Sequence, residues 1–302
     1  MTESGSRAIA AERSQWRARI GDLFELTKPR LTLLNVMATL AGFYVAATSP
    51  LDGWLLFHTL AGTFLVGGGC GALNMYAERQ HDHRMKRTAM RPLPSGRVTP
   101  LESLVVGVVM SVAGVLYLAL AVNLLTGVLG LATLISYLFF YTPLKRLSTL
   151  NTIVGAIPGG IPPMMGWTAV TNSLDPGAWV LFAILFFWQM PHFLALAWMY
   201  RKDYEQAGYK MLTVLDPDGI STTRQILMYS AALLPVSLIP TMFGIAGKIY
   251  FWGALFLGLA FIILSLRLLF DRQNINARWV FHYSLIYLPL LLLTMALDRG
   301  SV

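Results

Sequence analysis

Residues 54–76 read WLLFHTLAGTFLVGGGCGALNMY and contain no charged side chain. A helix rises about 1.5 Å per residue, so this stretch would reach about 35 Å, which is enough to cross the hydrocarbon core of a bilayer. Ordinary soluble domains rarely contain an uncharged stretch of this length. The stretch therefore predicts a membrane-spanning helix.

Apolar runs of similar length recur on both sides of this stretch. The 302-residue chain is 56% hydrophobic and 13% charged, with a mean hydropathy of +0.59. Soluble domains contain roughly 25% charged residues, so this composition excludes a soluble globular enzyme. We predict an all-α polytopic membrane protein built as a bundle of nine transmembrane helices. The predicted spans cover residues 31–48, 54–76, 101–122, 124–142, 150–170, 177–199, 225–246, 249–270 and 279–297.

The N-terminal segment, residues 1–30, mixes basic and acidic side chains and has no apolar run of the signal-peptide kind. We therefore predict that residues 1–30 form a cytosolic tail. Residues 31–297 are predicted to form a single transmembrane domain.

The basic residues indicate the orientation of the chain. Of its 23 Lys and Arg residues, 21 fall in the tail or in and beside the loops after the second, fourth, sixth and eighth spans. Cytoplasmic loops carry such an excess, so the N-terminus is predicted to be cytoplasmic. The net charge of +8 is then a topology signal, and we expect no nucleic-acid partner.

The fifth predicted span is rich in helix-breaking residues. A helix interrupted in this way is tolerated in a bilayer only where neighbouring helices or water satisfy its backbone. We therefore expect this span to face the protein interior or a cavity. The residues are Gly155, Pro158, Gly159, Gly160, Pro162, Pro163 and Gly166.

Three oxygen-bearing side chains follow one another at the cytosolic end of the second span. Asn74, Glu78 and Asp82 are spaced four residues apart, which places them along one face of a helix. Mg²⁺ takes one or two carboxylates and completes its shell with water and substrate phosphate. The row therefore predicts a magnesium site, although a solvated helix end with ordinary charge pairs is the alternative.

Cations follow this row closely. Lys86, Arg87 and Arg91 come within reach of a phosphate bound there. A second inside loop, residues 201–212, again combines a carboxylate, Asp203, with cations. Its cations include Lys202 and Lys210, although a charged connector would have the same composition. Two such loops predict a site that holds a diphosphate while the apolar bundle shields its hydrocarbon tail and an allylic cation from water.

Five stretches of the chain resemble the UbiA-type superfamily of intramembrane prenyltransferases. The longest is residues 74–96, which end in RTAMRPLPSG. The resemblance extends over residues 27–297 and implies the superfamily's transmembrane bundle. The other stretches are TKPR at 27–30, YTPLKR at 141–146, GAIPGGIPPMMGW at 155–167, and WQMPHF at 188–193 continuing to DYEQAGYKM at 203–211.

The first and last of these stretches are most similar to the branch of the superfamily whose acceptor is haem. That resemblance implies an enzyme that alkylates a vinyl group of haem b with farnesyl diphosphate, adds water, and releases diphosphate and haem O. It also implies that Asn74, Glu78 and Asp82 hold Mg²⁺ and diphosphate. Asp203 would contribute from a second motif, although Ala207 stands where the wider superfamily has another aspartate.

A haem substrate would also need residues of its own. His192 is predicted to lie within the sixth span, where a buried polar side chain is a functional candidate. His81 is a second haem-side candidate, while ordinary packing remains the alternative for both histidines. Lys145 and Arg146 could serve the diphosphate or the haem propionates, and the sequence does not divide these roles.

Two other functions remain open from the sequence. One is a prenyltransferase for another aromatic acceptor, such as a quinone precursor, and the other is a membrane transporter with a broken fifth helix. The lack of a mitochondrial presequence favours a bacterial inner membrane, with the active site on the cytoplasmic face. If the acceptor is haem, the substrates are farnesyl diphosphate and haem b, and the protein lies in the lipid bilayer. A haem A synthase would then be a partner.

Overall fold

A computed structural model describes residues 16–47 and 50–300, and this part of the chain contains no β-strand. Residues 16–26 are helical and precede nine long helices. Two short helices, Arg201–Gln206 and Leu212–Leu215, follow the sixth. The long helices are α1 (Pro29–Ala46), α2 (Gly53–Asp82), α3 (Pro100–Ala121), α4 (Leu124–Leu147), α5 (Asn151–Thr171), α6 (Pro176–Met199), α7 (Ile220–Met242), α8 (Lys248–Phe270) and α9 (Asn274–Leu297).

The all-α prediction is confirmed by these helices. Seven of the nine are long and apolar enough to cross a membrane. The other two are α1, which is 18 residues long and carries Arg30 and Asn35, and α5, which is rich in Gly and Pro. The described residues thus contain nine long helices, while the count of nine spans stays a prediction.

Four predicted spans differ from the observed helices by four residues or more at one end or both. Helix α4 ends at Leu147 rather than at residue 142, and α9 begins at Asn274 rather than at residue 279. Helix α2 continues to Asp82. This helix begins in an apolar stretch, and the polar residues that follow at the membrane surface extend the same helix. Helix α7 begins at Ile220 and ends at Met242, whereas residues 225–246 were predicted. The prediction missed its polar first turn, and Gly244, with φ at 67°, turns the chain after its end.

The helices pack largely in chain order. Helix α1 contacts α2 and α5, α2 contacts α3, and α6 contacts α5, α7 and α9. Helix α1 also contacts α9, which brings the first and last helices of the bundle together. Large apolar side chains on α3 and α8, such as Leu120 and Phe256, are exposed and so are suited to face lipid.

The Gly- and Pro-rich α5 faces the interior, as predicted. Cβ atoms at Gly42 and Gly166 would come within 2.0 Å of the backbone oxygens of Pro163 and Thr39, respectively. These glycines therefore allow α1 and α5 to approach closely, as small residues do in membrane helix pairs. The Thr39 hydroxyl also donates to the Pro162 carbonyl at 3.0 Å.

The segment between α2 and α3 folds back against the N-terminal helical residues. Leu93 and Val98 are buried in a cluster with Leu26 and Ala72. Arg97, in the same segment, forms ion pairs with the N-terminal helix. These contacts hold the polar end of α2 between two other segments of the chain.

Candidate active site

The predicted row of ligands is present on the last turns of α2. The helix runs without a break through Asn74, Glu78 and Asp82. All three residues are buried, with exposed fractions of 0%, 4% and 1%. Buried carboxylates are costly unless they are paired, so these side chains are not a solvated helix end.

Each carboxylate of the row meets a cation from elsewhere in the chain. The Lys145 Nζ atom donates to Glu78 Oε1 at 2.6 Å. The Arg91 Nη1 atom donates to Asp82 Oδ2 at 2.7 Å. The row is therefore held between the end of α4 and the α2–α3 segment.

The third cation, Lys28, was missed as a site residue by the sequence analysis. Its Nζ atom donates to Asn74 Oδ1. Lys28 precedes Pro29 and has a left-handed backbone, with φ at 49°, which is uncommon for a residue other than glycine. Burial and the nearby Arg91 lower the pKa of Lys28 to about 8. The sequence feature that could have identified Lys28 is its position in the TKPR stretch, directly before the first span.

A π-helical turn in α4 shapes the other wall of the site. It covers Ser136–Tyr141 and is followed by Thr142, whose hydroxyl accepts a hydrogen bond from Asn74 Nδ2 at 3.0 Å. The Lys145 Nζ atom lies 4.6 Å from the centre of the Tyr141 ring. Such turns recur at functional sites, but no feature of the sequence predicted this one.

The two polar loops that were predicted to share a site are in contact. The ring of Tyr209, from the second loop, stacks on His81 at a centroid distance of 5.7 Å. The Arg87 Nη2 atom donates to the Tyr204 hydroxyl at 3.3 Å. Met85 is buried in a cluster with Tyr209 and residues around it. The second loop therefore closes over the end of α2.

Three buried polar atoms at this place have no hydrogen-bond partner among the described residues. They are Asp82 Oδ1, His81 Nδ1 and the Tyr209 hydroxyl, out of eight such atoms in the described residues. Burial raises the pKa of Tyr209, so its hydroxyl keeps its proton. Buried polar groups normally find partners, so this concentration indicates a place for a polar ligand.

The donor set of the row suits a magnesium ion. Asp82 Oδ1 is a free carboxylate oxygen, and Glu78 and Asn74 supply further oxygens one and two helical turns away. The described residues contain no group of three His, Cys, Asp or Glu side chains placed to hold a metal by themselves. A magnesium ion that takes one or two carboxylates and completes its shell with phosphate and water fits this arrangement.

The cations predicted to bind diphosphate fall into three groups. Arg91 and Lys145 form ion pairs with the row. Arg87 lies beside it, in contact with the second loop through Tyr204. The remaining four are exposed and form no ion pair with the row within residues 16–47 and 50–300; they are Lys86, Arg146, Lys202 and Lys210.

Asp203 was predicted to join the row as a metal ligand. Within the described residues its side chain forms no hydrogen bond or ion pair with Asn74, Glu78 or Asp82. It lines an open cavity of about 520 Å³, together with the neighbouring Lys202, and its role as a metal ligand stays a prediction. The row is not among the residues that line this cavity.

The predicted haem-side residue His192 is buried between α6 and α9. Its Nδ1 atom is 2.7 Å from the Ser284 hydroxyl. Its ring stacks on Trp188 and on Phe281, each at a centroid distance of 4.9 Å. The imidazole is thus fixed in orientation. These contacts are also those of a well-packed core histidine, so its haem-side role stays a prediction.

The model of the UbiA prenyltransferase family matches residues 35–288 of the chain. The chain belongs to the UbiA prenyltransferase family. This UbiA chain is 48% identical to the protein from Solibacter usitatus named protoheme IX farnesyltransferase, over 93% of the chain and 99% of the relative. It is 45% identical to the protein of the same name from Koribacter versatilis, over 98% and 99% of the two chains.

Solved structures of other proteins share the fold. A digeranylgeranylglyceryl phosphate synthase matches with a TM-score of 0.79 at 14% identity, over 94% of this UbiA chain and all of the other. An Archaeoglobus fulgidus UbiA homologue bound to GPP and Mg²⁺ matches with a TM-score of 0.65 at 14% identity, over 91% and 99%. The predicted helical membrane bundle of the UbiA type is thereby confirmed, and the chain is a prenyltransferase.

Proposed function

We propose that this protein converts haem b to haem O by transferring the farnesyl group of farnesyl diphosphate to a haem vinyl group. The observation that carries the proposal is the buried Asn74, Glu78 and Asp82 row with its three cations, in a chain 48% identical to a protoheme IX farnesyltransferase. The row explains how a diphosphate is held, and the relatives indicate which acceptor is used.

The donor diphosphate binds at the row in this proposal. Lys28, Arg91 and Lys145 place three positive charges around it, which stabilise the negative charge that develops as the diphosphate leaves. Asn74, Glu78 and Asp82 would hold Mg²⁺, which supplies further neutralisation of the leaving diphosphate. The buried Tyr209 hydroxyl is a free hydrogen-bond donor at the same place.

The prenyl chain then extends from the row into the apolar bundle. The C1–O bond of farnesyl diphosphate breaks, and C1 forms a bond to the terminal carbon of the haem vinyl group. The cation left on the adjacent vinyl carbon takes water and loses a proton, which gives the hydroxyethylfarnesyl group. Tyr137 and Tyr141, whose ring centres lie 5.0 Å apart beside Lys145, offer aromatic faces to the developing allylic cation.

The acceptor site is proposed to involve the predicted haem-side residues. His81 lies beside the row, with Nδ1 buried and unpartnered, and so is placed to contact a substrate bound there. His192 presents a fixed imidazole deeper in the bundle, on α6.

The location of the reaction follows from the same proposal. The bacterial relatives and the charge distribution support an inner-membrane protein with residues 1–30 as a cytoplasmic tail and residues 31–297 as the transmembrane prenyltransferase domain. The row would then act at the cytoplasmic face. Haem O would pass to an enzyme that oxidises it further, such as a haem A synthase, or directly to an oxidase.

A product assay tests the proposal. The purified protein in detergent is supplied with haem b and farnesyl diphosphate, with and without Mg²⁺, and the haems are separated by reversed-phase chromatography. We expect a later-eluting haem with the mass of haem O, absent when Mg²⁺ is removed. If folded protein forms no new haem but releases diphosphate with another aromatic acceptor, the haem assignment is wrong.

A further inference from the structure

A second charged site lies at the ends of α6 and α8 and the start of α9. The cavity of about 520 Å³ opens there. Its lining includes Trp198, Arg201, Lys202, Asp203, Arg272 and Asn274. None of the cations that contact the α2 row lines this cavity.

The lining of this cavity is suited to an anion. Arg201, Lys202 and Arg272 face a single carboxylate, that of Asp203, and none of the three cations forms an ion pair within the described residues. The lining therefore keeps a net positive charge. In the α2 row, by contrast, each carboxylate has its own cation.

Two further features reinforce this preference. Helix α9 begins at Asn274, on the cavity, and its cap residue Gln273 makes no side-chain hydrogen bond to the first turn. The N–H groups of Asn276 and Ala277 donate to the Gln273 carbonyl, so the 24-residue helix presents the N–H groups of its first two residues and the positive end of its dipole there. The Trp198 indole also lines the cavity, and its buried Nε1 has no hydrogen-bond partner in the part of the chain that the structure describes, so it can donate to a ligand.

One of the cations is already fixed in place. The Arg201 guanidinium carbon lies 5.2 Å from the centre of the Trp198 ring, and its Nη1 atom donates to the Pro217 carbonyl at 3.2 Å. Stacking on an aromatic face and one hydrogen bond restrict the side chain while leaving other N–H groups free. Such an arrangement lowers the entropic cost of binding an anion.

The same two helices connect this cavity to the predicted haem-side residue. His192 is six residues before Trp198 on α6, which is about 9 Å along the helix axis. On α9, its partner Ser284 lies ten residues beyond Asn274. The cavity and His192 therefore lie on the same pair of helices, α6 and α9.

We propose that this cavity binds the propionate carboxylates of the haem acceptor, through Arg201 and Arg272. The proposal rests on the proposed function. It adds an assignment of the cations to the two substrates. Lys28, Arg91 and Lys145 bind the diphosphate, whereas Arg201, Arg272 and the start of α9 bind the carboxylates of the acceptor.

Absorption titrations of the full-length protein with haem b and with haem b dimethyl ester, whose propionates are blocked, test this division. We expect the wild-type protein to bind the free acid about tenfold more tightly than the ester, because hydrogen bonds to charged groups contribute at this level. In the double variant Arg201→Gln with Arg272→Gln, free-acid affinity should fall about tenfold while ester affinity and the KM for farnesyl diphosphate stay within twofold.

Arg267→Gln is the matched control, because Arg267 is an exposed arginine near the end of α8 that does not line the cavity. It should leave both affinities unchanged. The propionate assignment is wrong if the double variant loses affinity for the acid and the ester equally, or if it raises the KM for farnesyl diphosphate instead. If the wild-type protein makes haem O yet binds both haems equally, only this inference fails. If it neither binds nor converts haem, the proposed function fails with it.

Discussion

The α2 row and the cavity between α6 and α9 are both rich in charge, but they are built in opposite ways. In the row, two buried carboxylates and the Asn74 amide oxygen meet cations that come from the start of α1, the α2–α3 segment and the end of α4. In the cavity, three cations outnumber the single carboxylate and lack ion-pair partners within the described residues. The first arrangement is suited to a metal with its diphosphate, and the second to an anion without a metal.

The comparison also separates effects on folding from effects on binding. A change in the row leaves a buried charge without its partner, which costs several kcal/mol. A change in the cavity removes a charge that is exposed or half-buried and forms no ion pair within the described residues, so it should affect stability less. Variants in the row should therefore affect both turnover and stability, and variants in the cavity should affect chiefly binding.

The largest effect is expected from Asp82→Asn. The amide keeps the size of the side chain but removes the negative charge that would bind Mg²⁺ and pair with Arg91. Turnover should fall about 1,000-fold or more, because removal of a group that stabilises the transition state has effects of this order. The rate of haem O formation by membranes with equal amounts of protein measures this.

The control for this variant is Asp218→Asn, which changes an exposed carboxylate outside the site. It should retain wild-type turnover. Normal haem O formation by Asp82→Asn would contradict the assignment of Asp82 to the metal.

The next effect is expected from Lys145→Met, which leaves Glu78 buried without its cation. We expect a loss of stability of about 3 kcal/mol, seen as a lower midpoint of thermal unfolding in detergent, together with a loss of activity. Adding Glu78→Gln removes the unpaired charge. The double variant should therefore recover most of the stability but none of the activity.

Arg146→Gln serves as the neighbouring control, since Arg146 is exposed, and its effect on stability should be below about 0.5 kcal/mol. If the Lys145 and Glu78 double variant recovers activity along with stability, the pair is structural and does not bind substrate.

A smaller effect is expected from Lys28→Met. The lysine contacts Asn74 and would lose its charge but keep most of its length. The KM for farnesyl diphosphate should rise about tenfold, since one charge-assisted hydrogen bond to the diphosphate is lost. Haem affinity should stay constant. Arg30→Gln changes an exposed cation two residues away, and a similar rise there would show that general charge, rather than Lys28, is responsible.

The smallest effect is expected from His192→Ala. The variant loses the hydrogen bond to Ser284 and the stacking on Trp188 and Phe281. The KM for haem should rise about fivefold while that for farnesyl diphosphate changes less than twofold, on the scale of one neutral hydrogen bond. Equal losses for both substrates would identify His192 as a packing residue.

The sequence predicted the parts of the site that depend on local order. Asn74, Glu78 and Asp82 share a face because a helix repeats every 3.6 residues, and that regularity is readable from spacing alone. The interior position of α5 was predictable for a similar reason, since its many Gly and Pro residues need neighbours in a membrane.

The parts that were not predicted depend on contacts between distant segments. Lys28 meets Asn74 across 46 residues of chain and from a left-handed backbone, and nothing in the local pattern indicates such a contact. The π-helical turn in α4 depends on packing rather than on composition. The exposed Lys202 could not be told apart from Lys145, because the burial of a cation is decided by the tertiary fold.

The central claim is that the α2 row holds a metal together with the diphosphate. Its most direct test uses Mn²⁺ as a spectroscopic substitute for Mg²⁺ and an unreactive thiolodiphosphate analogue of farnesyl diphosphate. Electron–nuclear double resonance measures the coupling of the bound Mn²⁺ to ³¹P. We predict a clear ³¹P coupling in the wild-type protein that is lost in Asp82→Asn and kept in Arg272→Gln. An unchanged coupling in Asp82→Asn would contradict the account.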